Sequence, residues 1–234
     1  AAARRSFLHR LLLVWCLLPV VRISLPGMVN FDGIRHFVEF LPAACILAGL
    51  GMQTLIGWIG EKGALHRTIA AAALVVWLGV FTFMTWQVYG PFQHTYFNRL
   101  SGGLGNAAAK FGQAEATDYW GATYRQGMQW LSANAAPGAK IYVPAARWLV
   151  ELPAPLWLRS DLTLLIEDIT PDPETVNMPI YVLYITRPES ENEITQYCEE
   201  KLEPAYQIST DGVVLLKIYR LDRFEGGPAW QLPS

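Results

Sequence analysis

Three long apolar blocks, separated by short polar loops, fill the first ninety residues of the chain. They run over residues 7–25, 37–59 and 68–89. The second and third are long enough to cross roughly 30 Å of hydrocarbon as helices. The first has a short uncharged centre with basic residues near both ends, so a secretory signal peptide is its alternative interpretation. We predict three transmembrane helices; a soluble helical core is the other structure that could hold such blocks.

Beyond residue 90 the pattern changes to the mixture of apolar and polar positions that is typical of a water-soluble domain. A helix is predicted from Tyr119 to Asn134, with Thr117 or Asp118 as its cap. Four apolar residues of this helix fall on one face and predict a core contact, namely Trp120, Tyr124, Met128 and Leu131.

Strand patterns follow this helix. The run IYVLYIT, residues 180–186, is rich in β-branched and aromatic side chains and is predicted to be the central strand. Residues 206–210 and 213–220 flank Asp211-Gly212, a dipeptide that is a strong signal for a β-hairpin. Two shorter strands are predicted, at residues 140–143 and 162–166.

An acidic helix is predicted between the central strand and the hairpin. It covers residues 189–201 and turns Ile194, Tyr197 and Cys198 inward. The segment 147–179 is rich in proline and has no clear period. The fold class predicted is therefore an α-helical membrane part, with about three transmembrane helices, followed by a small soluble α/β domain.

The predicted boundaries divide the chain into three parts. Residues 1–90 form the transmembrane part, residues 91–118 form an interfacial connector, and residues 119–234 form the α/β domain. Composition agrees with this division, since 52% of residues are hydrophobic and only 16% are charged. Charged residues make up about a quarter of a typical soluble protein, and the deficit lies almost wholly in the first ninety residues.

Charge and cysteine content narrow the function classes. A net charge of −2 gives no broad basic surface, so no nucleic-acid partner is expected. Of the three cysteines, two lie in apolar blocks, which leaves no disulfide framework in the soluble domain. None of the four histidines stands at metal-ligand spacing, so no metal site is assigned, although a divalent metal is left open.

Basic residues predict the orientation in the membrane. Arg4, Arg5 and Arg10 precede or open the first block, and Lys62 and Arg67 lie between the second and third. Segments rich in Lys and Arg stay on the cytoplasmic side. The α/β domain is therefore expected outside the cytoplasm, although two arginines near the first outer loop weaken the count.

The stretch from His94 to Gly121, which includes most of the connector, is unusually rich in glycine, aromatic and amide residues. Gly102, Gly103 and Gly105 permit a tight backbone path that other residues resist. Aromatic rings beside amide groups suit a membrane interface or a sugar-like ligand. Two interpretations stay open, which are a hinge that leads the chain out of the bilayer and a ligand-binding segment.

The loop between the first two blocks has the densest set of ionisable groups near the predicted bilayer surface. Asp32, Arg35 and His36 lie within five positions, and Glu39 follows. Arginine and histidine at headgroup level can hold a phosphate, and arginine offers a planar fork of donors. The alternative is a charged helix start that anchors the span at the interface.

Three sequence elements carry a resemblance to a known family. They are D-G-x-R-H-F at residues 32–37, Y-F-N with G-G at residues 96–98 and 102–103, and D-Y-W-G at residues 118–121. Their order and spacing resemble the C-terminal third of bacterial lipid-carrier-dependent glycosyltransferases of the GT-C superfamily, near the protein O-mannosyltransferase and aminoarabinose-transferase group. The resemblance covers residues 25–131 well and the rest loosely.

The resemblance implies an integral protein of the bacterial cytoplasmic membrane that uses a polyprenyl-phosphate-linked sugar as its co-substrate and needs no other cofactor. The candidate phosphate-binding residues are then Arg35, His36 and Asp32. The candidate substrate or interface residues are Tyr96, Asn98, Asp118, Tyr119 and Trp120.

The resemblance also implies where the catalytic carboxylate lies. In the superfamily it belongs to the first extracytoplasmic loop of a chain with many more spans, and nothing before Phe7 corresponds to that loop. The catalytic residues are therefore unknown, and we expect this chain to need an N-terminal multi-span half or other membrane subunits. The alternative is a non-catalytic membrane subunit or scaffold, derived from that family, that binds partner proteins.

Overall fold

The structure, a computed structural model, describes residues 2–28, 37–98, 100, 102–112, 116–165 and 179–221. The chain divides into two compact units, Ala1–Thr82 and Phe83–Ser234. We call the first the helical unit and the second, which contains the sheet, the sheet unit.

Three long helices dominate the first ninety residues: α1 (Ala2–Ile23), α2 (Phe40–Gly60) and α3 (Ala64–Tyr89). In the helical unit, Arg22 at the end of α1 donates to the Glu39 carboxylate, just before α2, over 2.9 Å. This ion pair joins the end of α1 to the start of α2.

Among the described residues of this part, two segments are long and apolar enough to cross a membrane. They are α2 and the run Ala64–Thr95, in which a 3-10 helix (Gly90–Thr95) continues α3. Their large apolar side chains are mostly exposed, and Trp58, Val75 and Trp77 are each more than 60% accessible. So much apolar surface is unfavourable in water and favourable in hydrocarbon, which supports membrane association. The count of three spans stays a prediction.

Besides the last residues of α3 and its 3-10 turns, the sheet unit contains five α-helices and five strands among its described residues. Its helices are α4 (Gly103–Phe111), α5 (Tyr124–Asn134), α6 (Trp148–Glu151), α7 (Ala154–Trp157) and α8 (Glu193–Lys201). Its strands are β1 (Lys140–Tyr142), β2 (Thr163–Leu164), β3 (Ile180–Ile185), β4 (Tyr206–Thr210) and β5 (Val213–Leu221). The prediction of a small mixed α/β domain is confirmed.

The strands form one mixed sheet in the order β2-β1-β3-β5-β4. β1, β2 and β3 run parallel, whereas β5 runs antiparallel to both β3 and β4. β3 is central and all six of its residues are buried, because helices cover both faces of the sheet. Tyr181, Leu183 and Ile185 face the core that includes α5, and the alternate residues face the core that includes α8.

The register places the C-terminal ends of β1 and β3 at the same end of the sheet as the hairpin turn. Ile185, the last residue of β3, pairs with Leu216, close to where β5 begins. β1 runs parallel to β3, so its last residue lies toward the same side. We call this side, which holds the Asp211-Gly212 turn and the C-terminal ends of β1 and β3, the turn end of the sheet.

Two predicted helices differ in their first residues. Helix α5 begins at Tyr124 and not at Tyr119, because Gly121 adopts a left-handed backbone (φ +67°) that no helix continues through. Trp120 therefore lies outside the buried stripe that Tyr124, Met128 and Leu131 form, and about half of it is exposed.

The acidic helix also begins later than the pattern predicted. A 3-10 turn at Pro188–Ser190 precedes α8, and a capping box formed by Asn192 and Thr195 sets the helix start at Glu193. The inward position of Cys198 is confirmed, since this thiol is fully buried.

Candidate functional site

Asp118, the carboxylate of the D-Y-W-G element, is fully buried. His94 Nε2 lies 2.8 Å from its Oδ1 atom. The backbone N–H of Ala122 donates to the same oxygen over 3.1 Å. The other oxygen accepts from both the backbone N–H and the hydroxyl of Thr123, over 2.7 and 2.6 Å. The carboxylate therefore fixes the turn that leads into α5.

These donors decide the protonation state of Asp118. Burial by itself would raise the pKa of this carboxyl, but the hydrogen bonds from His94 and Thr123 favour the charged form and hold the pKa below its ordinary value. A carboxylate with a lowered pKa and four donors is a weak proton acceptor. The geometry thus assigns Asp118 to positioning and not to general-base chemistry.

The next two residues of the D-Y-W-G element are displayed at the surface. Tyr119 and Trp120 are each a little under half exposed, and their rings meet edge to face with centroids 5.3 Å apart. Gly121 packs so closely that an added Cβ would lie 2.7 Å from Leu149 of α6. Buried Asp118 on one side and tightly packed Gly121 on the other leave the two rings pointing outward from a fixed turn.

Arg187 completes this surface from the end of β3. Its Nη1 donates to the carbonyl oxygen of Tyr119 over 2.9 Å, and its guanidinium lies over the Tyr119 ring, 4.7 Å from the centroid. Its Nε also pairs with Glu189 over 3.1 Å. The aromatic pair therefore has a cation beside it, a combination that suits sugars and phosphates.

The Y-F-N and G-G elements meet at a second place, around the hairpin turn. The carboxylate of Asp211 accepts from the N–H of Leu104 over 2.7 Å and from the Tyr89 hydroxyl over 3.0 Å. It therefore caps the start of α4 from 107 positions away in the chain. An added Cβ at Gly103 would overlap this carboxylate, and one at Gly105 would lie 2.7 Å from the Asp211 carbonyl oxygen.

An open cleft of about 360 Å³ lies beside this cap. Tyr96 lines it and meets Tyr89 edge to face at 5.2 Å, while the Asn98 carbonyl accepts from the N–H of Gly103 over 3.2 Å. Met84 and Val88 of α3 form an apolar wall. The glycines thus serve close packing of α4 against the hairpin, which neither the hinge nor the ligand interpretation anticipated.

The structure divides the predicted site residues into three sets. Tyr96 and Asn98 lie at the Asp211 cap, and Asp118, Tyr119 and Trp120 lie at the turn before α5. Asp32, Arg35 and His36, the candidate phosphate ligands, lie outside the described residues. The predicted connector also contributes Leu104 and Ala107 to the core of the sheet unit.

Sequence reasoning missed three side chains of these candidate sites. His94 was recognised only as the first residue of the glycine-rich and aromatic stretch, and its partner Asp118 lies 24 positions away. Arg187 follows the predicted central strand and Asp211 lies in the predicted hairpin turn, and nothing local signals their long-range contacts. The one usable signal was the unexplained density of glycine in the connector, since glycine often marks a close approach of backbone.

A larger cleft of about 630 Å³ lies on the α8 side of the sheet unit. Lys217 donates to Glu199 over 2.5 Å, and the Tyr184 hydroxyl donates to the same carboxylate. Burial would raise the pKa of Glu199, but the hydrogen bonds from Lys217 and Tyr184 lower it. Within the described part of the chain, no group of three His, Cys, Asp or Glu side chains could hold a metal ion.

Comparison of the chain with protein-family models, curated proteins and solved structures found no match.

Proposed function

We propose that this chain is the C-terminal portion of an integral membrane glycosyltransferase that takes its sugar from a polyprenyl-phosphate carrier. The observation that carries the proposal is the exposed pair Tyr119 and Trp120, held beside Arg187 by the buried Asp118 network. Aromatic faces stack on sugar rings and guanidinium groups bind phosphate, which are the two parts of such a donor. The three motif elements that resemble the GT-C superfamily supply the reaction class.

The proposed reaction needs two groups on the same side of the membrane. A base takes the proton from the acceptor hydroxyl as that oxygen attacks the anomeric carbon, and cations stabilise the departing lipid phosphate. We assign the second role to Arg35 and His36, with Asp32 orienting them. Tyr119, Trp120 and Arg187 would bind the acceptor or the sugar, and Tyr96 and Asn98 would shape the neighbouring cleft.

The base is proposed to come from another segment, so this chain alone should transfer no sugar. The lowered pKa and the burial of Asp118 weigh against it as the base. Glu39 is paired with Arg22. Of the other two outward carboxylates near the bilayer, Asp32 is assigned to the phosphate side and Glu115 lies in the predicted connector, outside the described residues.

The test of this proposal is a transfer assay with the full chain in nanodiscs, alone and co-expressed with an upstream multi-span segment. Radiolabelled polyprenyl-phosphate sugars and candidate acceptors are supplied. We expect no transfer by the chain alone and transfer by the pair. Turnover by the chain alone that Asp118→Asn or Glu115→Gln abolishes would place the base here and overturn the assignment.

Two variants test the assigned roles in the active pair. Arg35→Ala should weaken donor binding about 10- to 150-fold, since a charge-assisted hydrogen bond contributes roughly 1.5–3 kcal/mol. Arg35→Lys keeps the charge but loses the planar fork and should recover only part of the loss. Trp120→Ala should reduce turnover, whereas Leu156→Ala, which removes an exposed apolar side chain from α7, should not.

The proposed location is the bacterial cytoplasmic membrane, with the sheet unit on the outer side. A single cysteine at Glu203, an exposed position, should react with an impermeant thiol reagent on intact cells. A cysteine at Ser190 would not be suitable, because this position is buried and the reagent could not reach it from either side. Cysteine at Lys62, in the loop between α2 and α3, should react only after lysis, and the reverse pattern would overturn the orientation.

A scaffold that binds partner proteins is the second candidate function. The observation that favours it is that Asp118, the carboxylate of the D-Y-W-G element, is tied up in a structural role. A scaffold predicts that co-expressed membrane proteins co-purify with the chain while no transfer occurs in either form of the assay.

A further inference from the structure

A second group of exposed aromatic and apolar side chains lies next to the Tyr119–Trp120 pair. After β1 the chain turns at Ala146, which has a left-handed backbone (φ +49°), and enters α6. Trp148 at the start of α6 is 61% exposed and Leu152 just after it is 77% exposed. Leu149, next to Trp148, packs on Gly121, next to Trp120.

The contact between Leu149 and Gly121 therefore brings two displayed tryptophans to neighbouring places on the surface. We call Tyr119, Trp120 and Trp148 the aromatic rim. Each of these side chains is between 45% and 61% exposed, which is unusual for large aromatic residues in a water-soluble surface. Because these residues cluster, they form an exposed apolar patch of the kind that marks an interaction surface.

Strand direction places the rim at the turn end of the sheet. Helix α6 follows the C-terminal end of β1, and the Tyr124 hydroxyl, at the start of α5, donates to the Ala145 carbonyl there over 2.7 Å. Arg187, which holds Tyr119, follows the C-terminal end of β3. Both strand ends belong to the same end of the sheet as the hairpin turn.

The last turn of α3 is attached to this same end. Thr210 Oγ1 donates to the carbonyl oxygen of Val88 over 2.5 Å, and the Tyr89 hydroxyl donates to Asp211 over 3.0 Å. Helix α3 is long and apolar enough to cross a membrane. Val88 and Tyr89, the last residues of α3, are therefore joined to the turn end of the sheet.

We propose that the aromatic rim is a membrane-binding surface, and that the turn end of the sheet rests on the lipid headgroups with Tyr119, Trp120 and Trp148 at the interface. Tryptophan and tyrosine favour this level of a bilayer because their rings are apolar and their N–H and O–H groups remain hydrated. The inference rests on the proposed insertion of α2 and α3 and not on glycosyl transfer, so it holds equally for the enzyme and the scaffold.

Spin-label accessibility in nanodiscs of phosphatidylcholine and phosphatidylglycerol tests this surface. The full chain carries Cys16→Ser, Cys45→Ser and Cys198→Ala, plus one new cysteine at Trp148, and collision with oxygen is compared with collision with a water-soluble nickel chelate. Oxygen concentrates in lipid and the chelate in water. We expect the Trp148 label to show a several-fold higher oxygen-to-chelate ratio than a matched label at Ala133.

Ala133 is the matched control because it is exposed and lies near the C-terminal end of α5, which leads to the start of β1 at the opposite end of the sheet. A third label at Val76 of α3 reports insertion itself.

Equal oxygen-to-chelate ratios at Trp148 and Ala133, with Val76 in lipid, would overturn the membrane contact of the aromatic rim alone. A water-exposed Val76 would overturn insertion and the rim together. Low collision with both reagents at Trp148 would mean that protein covers it, which also overturns the proposal.

Discussion

Asp118 and Asp211 perform the same task in two different ways. Each is a carboxylate that accepts hydrogen bonds from backbone N–H groups at or just before the start of a helix. Asp118 reaches residues four and five positions ahead of it, at the entry to α5. Asp211 reaches Leu104, at the start of α4, from 107 positions away.

The difference lies in what each contact holds together. Asp118 orders one turn and aims the two rings beside it, so its effect is local. Asp211 joins the connector to the C-terminal hairpin and also receives the Tyr89 hydroxyl from α3. A carboxylate on a tight turn can therefore join segments that are distant in the sequence, whereas one just before a helix stabilises the turn to which it belongs.

Removal of the Asp118 carboxylate should have the largest effect of the changes considered. Asp118→Ala leaves His94 and three donors at Ala122 and Thr123 without a buried acceptor, and should cost about 3 kcal/mol of unfolding free energy. Denaturant unfolding of the detergent-solubilised chain, followed by tryptophan fluorescence, measures it. Asp161→Ala, which removes an exposed carboxylate, is the control, and an equal loss in both variants would contradict the local role.

The same carboxylate predicts an acid sensitivity. Because its folded pKa is lower than its unfolded value near 4, Asp118 contributes stability that is fully present above pH 4 and is lost as the pH falls through the folded pKa. The difference in melting temperature between the native chain and Asp118→Asn should therefore shrink as the pH is lowered from 6 to 3. A difference that stays constant over that range would show that the ionised form is not what stabilises the turn.

A side chain that crowds the contact between Asp211 and the start of α4 should have an intermediate effect on stability. Gly103→Ala adds a Cβ that overlaps the Asp211 carboxylate, and it also strains a left-handed backbone (φ +78°), so we expect a loss of about 2–3 kcal/mol. Gly212→Ala is the matched control, because Gly212 has the same φ and no atom within 4 Å of the added Cβ. Hydrogen exchange should show faster exchange at Leu104 in Gly103→Ala only, and equal exchange in both variants would exclude displacement of the carboxylate.

The smallest expected changes in stability come from two substitutions to glycine, which distinguish the contacts of the Asp211 side chain from the strain of its backbone. Asp211 and Ala146 are non-glycine residues with the same φ of +49°. Ala146→Gly relieves strain and loses no polar contact, so it should stabilise the chain by about 0.5 kcal/mol. Asp211→Gly gains the same relief but loses the bonds to Leu104 and Tyr89, and should destabilise by about 1 kcal/mol. Changes of the same sign in the free energy of unfolding of the two variants would contradict the stabilising role of the Asp211 contacts.

Much of the fold was predictable because its signals are local. The central strand at residues 180–186 and the hairpin around Asp211-Gly212 follow from side-chain type and turn chemistry, and the structure confirms both. The start of α5 was predicted too early, because the pattern of Trp120 and Tyr124 matched a helical period while Gly121 broke the helix between them. The left-handed backbone of one glycine therefore outweighs the periodicity of the side chains around it.

The candidate site was predictable only in part, because its contacts join distant segments. The D-Y-W-G element was recognised, and so was the tendency of Asp118 to bind backbone N–H groups. The partners His94 and Arg187 could not be found, since each contact depends on how helices and strands pack. The glycines of the connector were noticed, but their reason, the approach of Asp211, exists only in the folded chain.

The Asp211 contact also sets an order of events during synthesis. At about 5–20 residues per second, the 107 positions between Leu104 and Asp211 take roughly 5–20 s to make. During that interval α4, a helix of nine residues, lacks the Asp211 carboxylate at its start, and so short a helix is marginal alone. We therefore expect the connector to be more open to proteases in a chain that ends before Asp211 than in one that includes the last hairpin.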